Sequence, residues 1–368
     1  MMTRLGVTAV ALAITGALAA AVALASDGTE QKPPVAAANA ATAKLSTAQL
    51  VGQRITTGYV GTTPPRSVLR AVRSGRIGGV ILFTNNMPSP AVARRAITKL
   101  QAWAKAGGMP PLFVMIDQEG GIVQRLPTIP PTRTPASMGR SSDPARTGMS
   151  QGLATGRALK KYGFNVNLAP VVDVPKVKNS FLGNRAYSSS AQVTADATCA
   201  FASGNEKGGV AATFKHFPGL GRAGADTDFN DIDINASRAL IDADNKPYRQ
   251  CPATPTFVMM SSSRYSKLGF DRPASLEKGA YAMLAETGFK GLTITDALET
   301  PQFGPGANTS RSALRAGVDV LLWGQAYGRA MSARSRLLRD VNAGRVTRAQ
   351  LEPGVERIVA LKEKLNAE

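Results

Sequence analysis

Metal chemistry has little to work with in this sequence. Its 368 residues hold one histidine, His216, and two cysteines, Cys199 and Cys251, too few imidazole and thiol ligands for a structural zinc site. The even pair of cysteines points to a disulfide in an oxidising compartment, and to two separate buried thiols otherwise. Acidic residues are also scarce: 25 Asp and Glu stand against 44 Lys and Arg, a formal charge of +19. Such an excess attracts anionic partners. It is scattered, however, with no long basic run and no nucleic-acid motif, so nucleic acid is not the expected partner. Electrostatic association with an anionic cell envelope is the better expectation, beside that of a plain soluble basic surface. The glycine-rich dinucleotide turn of a doubly wound open sheet is missing as well.

The chain begins with an export pattern. Met1–Arg4 carries one positive charge, Leu5–Leu24 is apolar, and Ala23-Leu24-Ala25 fits small-x-small cleavage. Residues 1–25 therefore read as a signal peptide. The alternative is an uncleaved membrane anchor; both place the remainder outside the cytoplasm. No cysteine lies near the cleavage position to carry a lipid. Residues 26–45, rich in Ala, Pro, Gln and Lys without apolar periodicity, read as a flexible tether.

From residue 46 to 368 a rhythm of short apolar runs and helical stretches takes over. The runs are Gln53–Val60, Gly79–Phe83, Leu112–Asp117, Asn165–Ala169, Val210–Phe217, Thr256–Ser261, Leu292–Asp296 and Val318–Trp323. They suit strands buried on both faces of a parallel sheet. Helices are expected between them, among others over Pro90–Ala106, Ser190–Lys207, Ser275–Thr287 and Ser310–Ala316. Eight β–α units predict one α/β domain, a closed (β/α)8 TIM-type barrel. Chemistry in such a barrel sits at the carboxyl ends of the strands. The polar residues closing the runs are Asp117, Asp173, Lys215 with His216, Ser261 to Ser263, and Asp296. A charge closing a buried strand is costly unless it meets a partner or a ligand.

Several of these residues lie in extended motifs: PLFVMIDQEGGIVQRL (Pro111–Leu126), NLAPVVDV (Asn167–Val174), GNRAYS (Gly183–Ser188), KHFPGLG (Lys215–Gly221), DRPASLE (Asp271–Glu277) and GFKGLTITDAL (Gly288–Leu298). In this order they resemble the motifs of glycoside hydrolase family 3. So does the tail, RAGVDVLLWG (Arg315–Gly324) and VTRAQLEPGVERIVALKEKL (Val346–Leu365). The chain is similar to the single-domain β-N-acetylhexosaminidases of that family, which remove N-acetylglucosamine from peptidoglycan fragments. The resemblance implies a monomeric, exported hydrolase of O-glycosyl bonds acting on a carbohydrate by a retaining mechanism, without metal or cofactor.

Retaining glycosidases need a nucleophile beneath the anomeric carbon and a proton donor near the leaving oxygen. By the resemblance Asp296 is the nucleophile. Asp117, Arg125, Arg185, Lys215 and His216 hold the sugar, for which charged donors and a carboxylate are suited. The plainer readings make Asp296 a helix cap, the arginines surface charges and His216 a core histidine. The subgroup takes its acid/base from an Asp-Ser-His triplet on a loop after KHFPG. Here the triplet is Asp226-Thr227-Asp228, and the nearby KHFPG-H-G histidine is Leu220. Asp228 protonates the leaving group if burial or the neighbouring Asp226 raises its pKa; otherwise hydrolysis is confined to activated substrates, or the chain is a glycan-binding pseudoenzyme. Ile122 in place of Arg, and Ala297 in place of an acidic residue, are further departures at the rim.

Overall fold

Eight short strands form the spine: β1 (Ile55–Thr57), β2 (Gly79–Ile81), β3 (Phe113–Ile116), β4 (Val166–Asn167), β5 (Ala211–Phe217), β6 (Phe257–Met260), β7 (Leu292–Thr295) and β8 (Leu321–Trp323). Each falls inside one of the eight runs expected from the sequence. All neighbours are parallel, in the order β8-β1-β2-β3-β4-β5-β6-β7. The two ends meet where Ile294 bridges Val320, with the amides of Thr295 and Leu298 donating to the carbonyls of Val320 and Leu322. The sheet is thus a (β/α)8 barrel of the TIM type. This computed structural model describes residues 34–304 and 308–367; the expected signal peptide or anchor and residues 26–33 of the tether lie outside them.

Side chains in β3 show why the strands read as unbroken apolar runs. Phe113 and Met115 join the cluster that fills the barrel, with Val166, Phe257, Met259, Ile294 and Leu322. Val114 and Ile116 point the other way, into the layer shared with the helices. Alternate residues meet two different apolar surroundings, so no position favours a polar side chain.

The helices start at recognisable signals. Ser89 accepts from the amide of Val92 ahead of Pro90–Ala106, with Pro90 in the first turn, and Ser190 accepts from Val193 ahead of Ala191–Lys207. Helix Pro144–Lys161 packs closely on Ala191–Lys207 through glycines four residues apart. A Cβ on Gly152 would lie 2.1 Å from the carbonyl oxygen of Phe201. Cys199 and Cys251 are bonded, Cα–Cα 6.0 Å, tying Ala191–Lys207 to the residue that follows helix Lys246–Gln250.

Two boundaries need correction. The flexible tether does not extend to residue 45, because Pro34–Ala43 is helical and packs with Ala38 and Thr42 buried. Alanine is the strongest helix former, and among the described side chains Ala38 and Thr42, four residues apart, are buried with Ala41 packed beside them. The helix expected over Ser275–Thr287 is shorter, Lys278–Ala285, after a 3-10 turn at Ala274–Leu276. Ser275 there donates to the carbonyls of Met260 and Ser261 at 2.8 and 2.9 Å.

Candidate active site

The carboxyl ends of the strands surround a cavity of about 140 Å³, lined among others by Asp117, Glu119, Arg125, Arg185, Lys215, His216, Asp226, Asp228 and Asp296. All eight charged or titratable residues expected at the site therefore reach one hollow, although β3 and β7, which deliver Asp117 and Asp296, are not adjacent in the sheet.

After β3 the chain turns back as a small hairpin, Gln118–Gly120 against Val123–Gln124. Gly120 and Gly121 make its turn with φ of +98° and +69°, a region open to glycine at little cost. The return brings Arg125 to Asp117, Nη2 to Oδ2 3.6 Å, with its guanidinium 5.3 Å from the centre of the Phe83 ring. Lys215, from β5, reaches Asp117 at 2.9 Å and Glu119 at 2.7 Å. Arg185 grips Glu119 with two bonds, 2.8 and 2.9 Å.

This is a closed network of buried charge. Burial by itself would raise the Glu119 carboxyl, but Lys215 and Arg185 hold it down at about 2. Asp117 is likewise lowered, burial being outweighed by Lys215 and Arg125. Burial works against the Lys215 ammonium, yet the two carboxylates raise its pKa above the ordinary value. The network therefore stays ionised at neutral pH and presents fixed charges to the cavity.

His216 is held from behind. Its Nδ1 lies 2.8 Å from Asp173 Oδ2, while its amide and that of Leu220 donate to Asp173 Oδ1 at 3.2 and 2.6 Å. Asp173 thereby fixes the orientation of the His216 ring. Asp296 closes β7: Oδ1 accepts from the amide of Ala297 at 2.8 Å, and Oδ2 from the Ser262 hydroxyl at 3.1 Å. Those two bonds fix the carboxylate plane.

The loop after β5 supplies Asp226 and Asp228. Asp226 builds its own turn: Oδ1 accepts from the Asp228 amide at 3.0 Å, and its carbonyl from Asn230 at 3.1 Å. From across the site, the side-chain amide of Gln302, in the turn after β7, donates to the carbonyls of Thr227 and Asn230. Burial, then the negative charges of Asp296 and Asp226, push the Asp228 carboxyl up to about 6. One carboxyl near its titration point beside a second, hydrogen-bonded carboxylate is the arrangement that acid/base and nucleophilic chemistry requires.

Glu119 and Gln302 join the site without being among the polar residues expected there, while Asp173 and Ser262 belong to the expected strand-end set without an assigned role. Glu119 sits two residues past Asp117 in the same motif, just beyond the end of the apolar run. Asp173, an expected strand-end acid, orients His216. Ser262, in the expected Ser261 to Ser263 run, holds Asp296, and Gln302 carries no sequence signal. Among the described residues no three or more His, Cys, Asp or Glu are grouped to hold a metal ion. A larger groove, about 600 Å³, opens beside Leu298–Pro301 and helix Tyr327–Asn342; Arg329 and Arg336 line it, with none of the expected residues.

Known proteins share this sequence pattern and fold. Residues 45–361 match the glycosyl hydrolase family 3 N-terminal domain. An uncharacterised secreted glycosyl hydrolase of Arthroderma benhamiae is 32% identical, covering 90% of this chain and 98% of that protein. A family 3 β-N-acetylglucosaminidase from Paenibacillus superposes with a TM-score of 0.83 at 29% identity, over 88% of this chain and 63% of that one. A β-N-acetylhexosaminidase from Beutenbergia cavernae gives 0.79 at 29% identity, over 87% and 99% of the two chains. The protein belongs to glycosyl hydrolase family 3, as a barrel enzyme related to the β-hexosaminidases.

Proposed function

We propose that the protein is an exported retaining glycosidase that releases β-linked N-acetylglucosamine from cell-wall-type glycans, with Asp296 as nucleophile and Asp228 as acid/base. The observation that carries this reading is the pairing itself: both carboxyls line one cavity, and Asp228 is lifted to about 6 partly by the charge of Asp296. In the first step Asp296 attacks the anomeric carbon while Asp228 gives its proton to the leaving oxygen. In the second, Asp228 as carboxylate takes a proton from water, and the water releases the sugar from Asp296. Asp117, Arg125, Arg185, Lys215 and His216 hold the hydroxyls of the bound ring, and Asp226 shapes the turn that presents Asp228. Glu119 serves to keep Lys215 and Arg185 in place.

Export is supported by the apolar first segment, the disulfide and the description of the Arthroderma relative as secreted. The formal charge of +19 would hold the enzyme near an anionic envelope.

Turnover of aryl β-N-acetylglucosaminides graded by leaving-group acidity tests the reading. Asp228→Ala should slow poor leaving groups by roughly 10²–10⁴-fold and nearly spare the most activated. Because Asp228 must enter protonated, the wild-type rate should fall as pH rises through about 6. A folded wild type that binds the sugar and cleaves none of the panel would instead mark a glycan-binding pseudoenzyme.

A further inference from the structure

Four large apolar side chains are strongly exposed among the described residues: Val60, Ile122, Phe229 and Leu240. Leu240 lies on helix Arg238–Asp244. The other three sit on loops that follow β1, β3 and β5, at the end of the barrel where the cavity opens. Single exposed apolar residues are common on any surface. Phe229 differs in how it is held. It is 77% exposed on a turn closed by its own amide to the Asp226 carbonyl and clasped by Gln302 on both sides. The ring is thus presented to solvent by ordered backbone, and covering it would be favourable.

Its place gives the occupant. Phe229 directly follows Asp228, which lines the cavity, whereas Phe229 itself does not. The cavity, about 140 Å³, is smaller than the roughly 300–1,000 Å³ of pockets that enclose drug-sized ligands. It has room for one sugar unit, so the group beyond the scissile bond must rest outside.

We propose that Phe229 is the platform for the leaving group, a pyranose ring whose C–H face stacks on the phenyl ring. The inference rests on Asp228 as proton donor: the leaving oxygen then lies at Asp228, and the ring bonded to it lies over the next residue. Phe229 is accordingly a specificity determinant that favours saccharide leaving groups over small alkyl ones.

The test compares Phe229→Ala and Phe229→Trp with wild type on a β-linked N-acetylglucosamine disaccharide and on methyl β-N-acetylglucosaminide. Phe229→Ala should lose about tenfold in kcat/KM on the disaccharide, carried mostly by KM, and stay within about twofold on the methyl glycoside. Phe229→Trp should retain the disaccharide preference. Equal losses on both substrates, or none on either, would overturn the assignment. If wild type cleaves neither compound, the aryl panel decides the catalytic reading and calorimetry decides the platform. Wild type should then bind the disaccharide more tightly than the methyl glycoside, and Phe229→Ala should erase that difference; equal wild-type affinities would overturn it.

Discussion

Both ends of this barrel bury a lysine, and the two are stabilised in opposite ways. At the carboxyl end Lys215 is clamped between Asp117 and Glu119, and its pKa is raised against the effect of burial. At the amino end Lys362, from the helix Arg348–Ala367, is fully buried. It meets the Gln53 side-chain oxygen at 2.7 Å and the Phe113 ring at 5.0 Å, and burial lowers it to about 7. No carboxylate is paired with it among the described residues. One end thus invests buried charge in partners that keep it ionised and turned toward a cavity; the other tolerates a lysine among the Ile358, Leu365 and Phe113 side chains of a plug. The difference separates a site from a floor, as expected for a fold whose chemistry sits at one face.

Substitutions can widen or break this contrast. The largest expected effect is on the site: Asp296→Ala should lower turnover of an aryl N-acetylglucosaminide by about 10⁴-fold or more while the denaturation midpoint barely moves. Next, Lys215→Met leaves two buried carboxylates without their shared cation and should cost about 3–5 kcal/mol at neutral pH, read by denaturant unfolding. Glu119 is held at about 2, below its ordinary 4.5, so this stabilisation is fully present above about 4.5 and is lost as pH falls through 2. The deficit of Lys215→Met should therefore shrink over that window.

Lys362→Met should do the reverse. A lysine lowered to about 7 carries its burial penalty in full below 7, and the penalty fades as pH rises toward the unfolded value of about 10.4. Removing it should stabilise the protein by roughly 2–4 kcal/mol at pH 6, after about 1 kcal/mol for the bond lost to Gln53, and by much less at pH 10. A destabilised Lys362→Met across the whole range would show that the floor needs its lysine as the site needs Lys215. The smallest effect is expected at the clasp. Gln302→Ala should reduce kcat on poor leaving groups about three- to tenfold, with stability changed by no more than about 1 kcal/mol.

The barrel was legible because its strands solve the same problem eight times. Runs such as Phe113–Ile116 and Phe257–Met260 are apolar on both faces, and each run ends where a polar residue appears. Helix starts at Ser89-Pro90 and Ser190 were equally local signals. What escaped was nonlocal or chemically quiet. Pro34–Ala43 shows no apolar stripe: its described buried positions, Ala38 and Thr42, are small, and alanine hardly registers in a hydrophobic pattern. Glu119 gains its role from Lys215 and Arg185, which approach from other strands and loops. The Gln302 clasp joins residues 72 and 75 positions apart, and glutamine in a turn predicts nothing by itself. Asp228 is a candidate on its motif alone, but its pKa rises first through burial and then through Asp296 ahead of the neighbouring Asp226, a setting only the closed barrel creates.

The most direct measurement is covalent. The protein would be incubated with a ring-fluorinated N-acetylglucosaminyl fluoride, whose glycosyl-enzyme turns over slowly, then digested and mapped by mass spectrometry. A sugar-sized increment on the peptide bearing Asp296, absent from Asp296→Ala, is the predicted result. An adduct on any other residue, or turnover with inverted anomeric configuration and no adduct, would contradict the account.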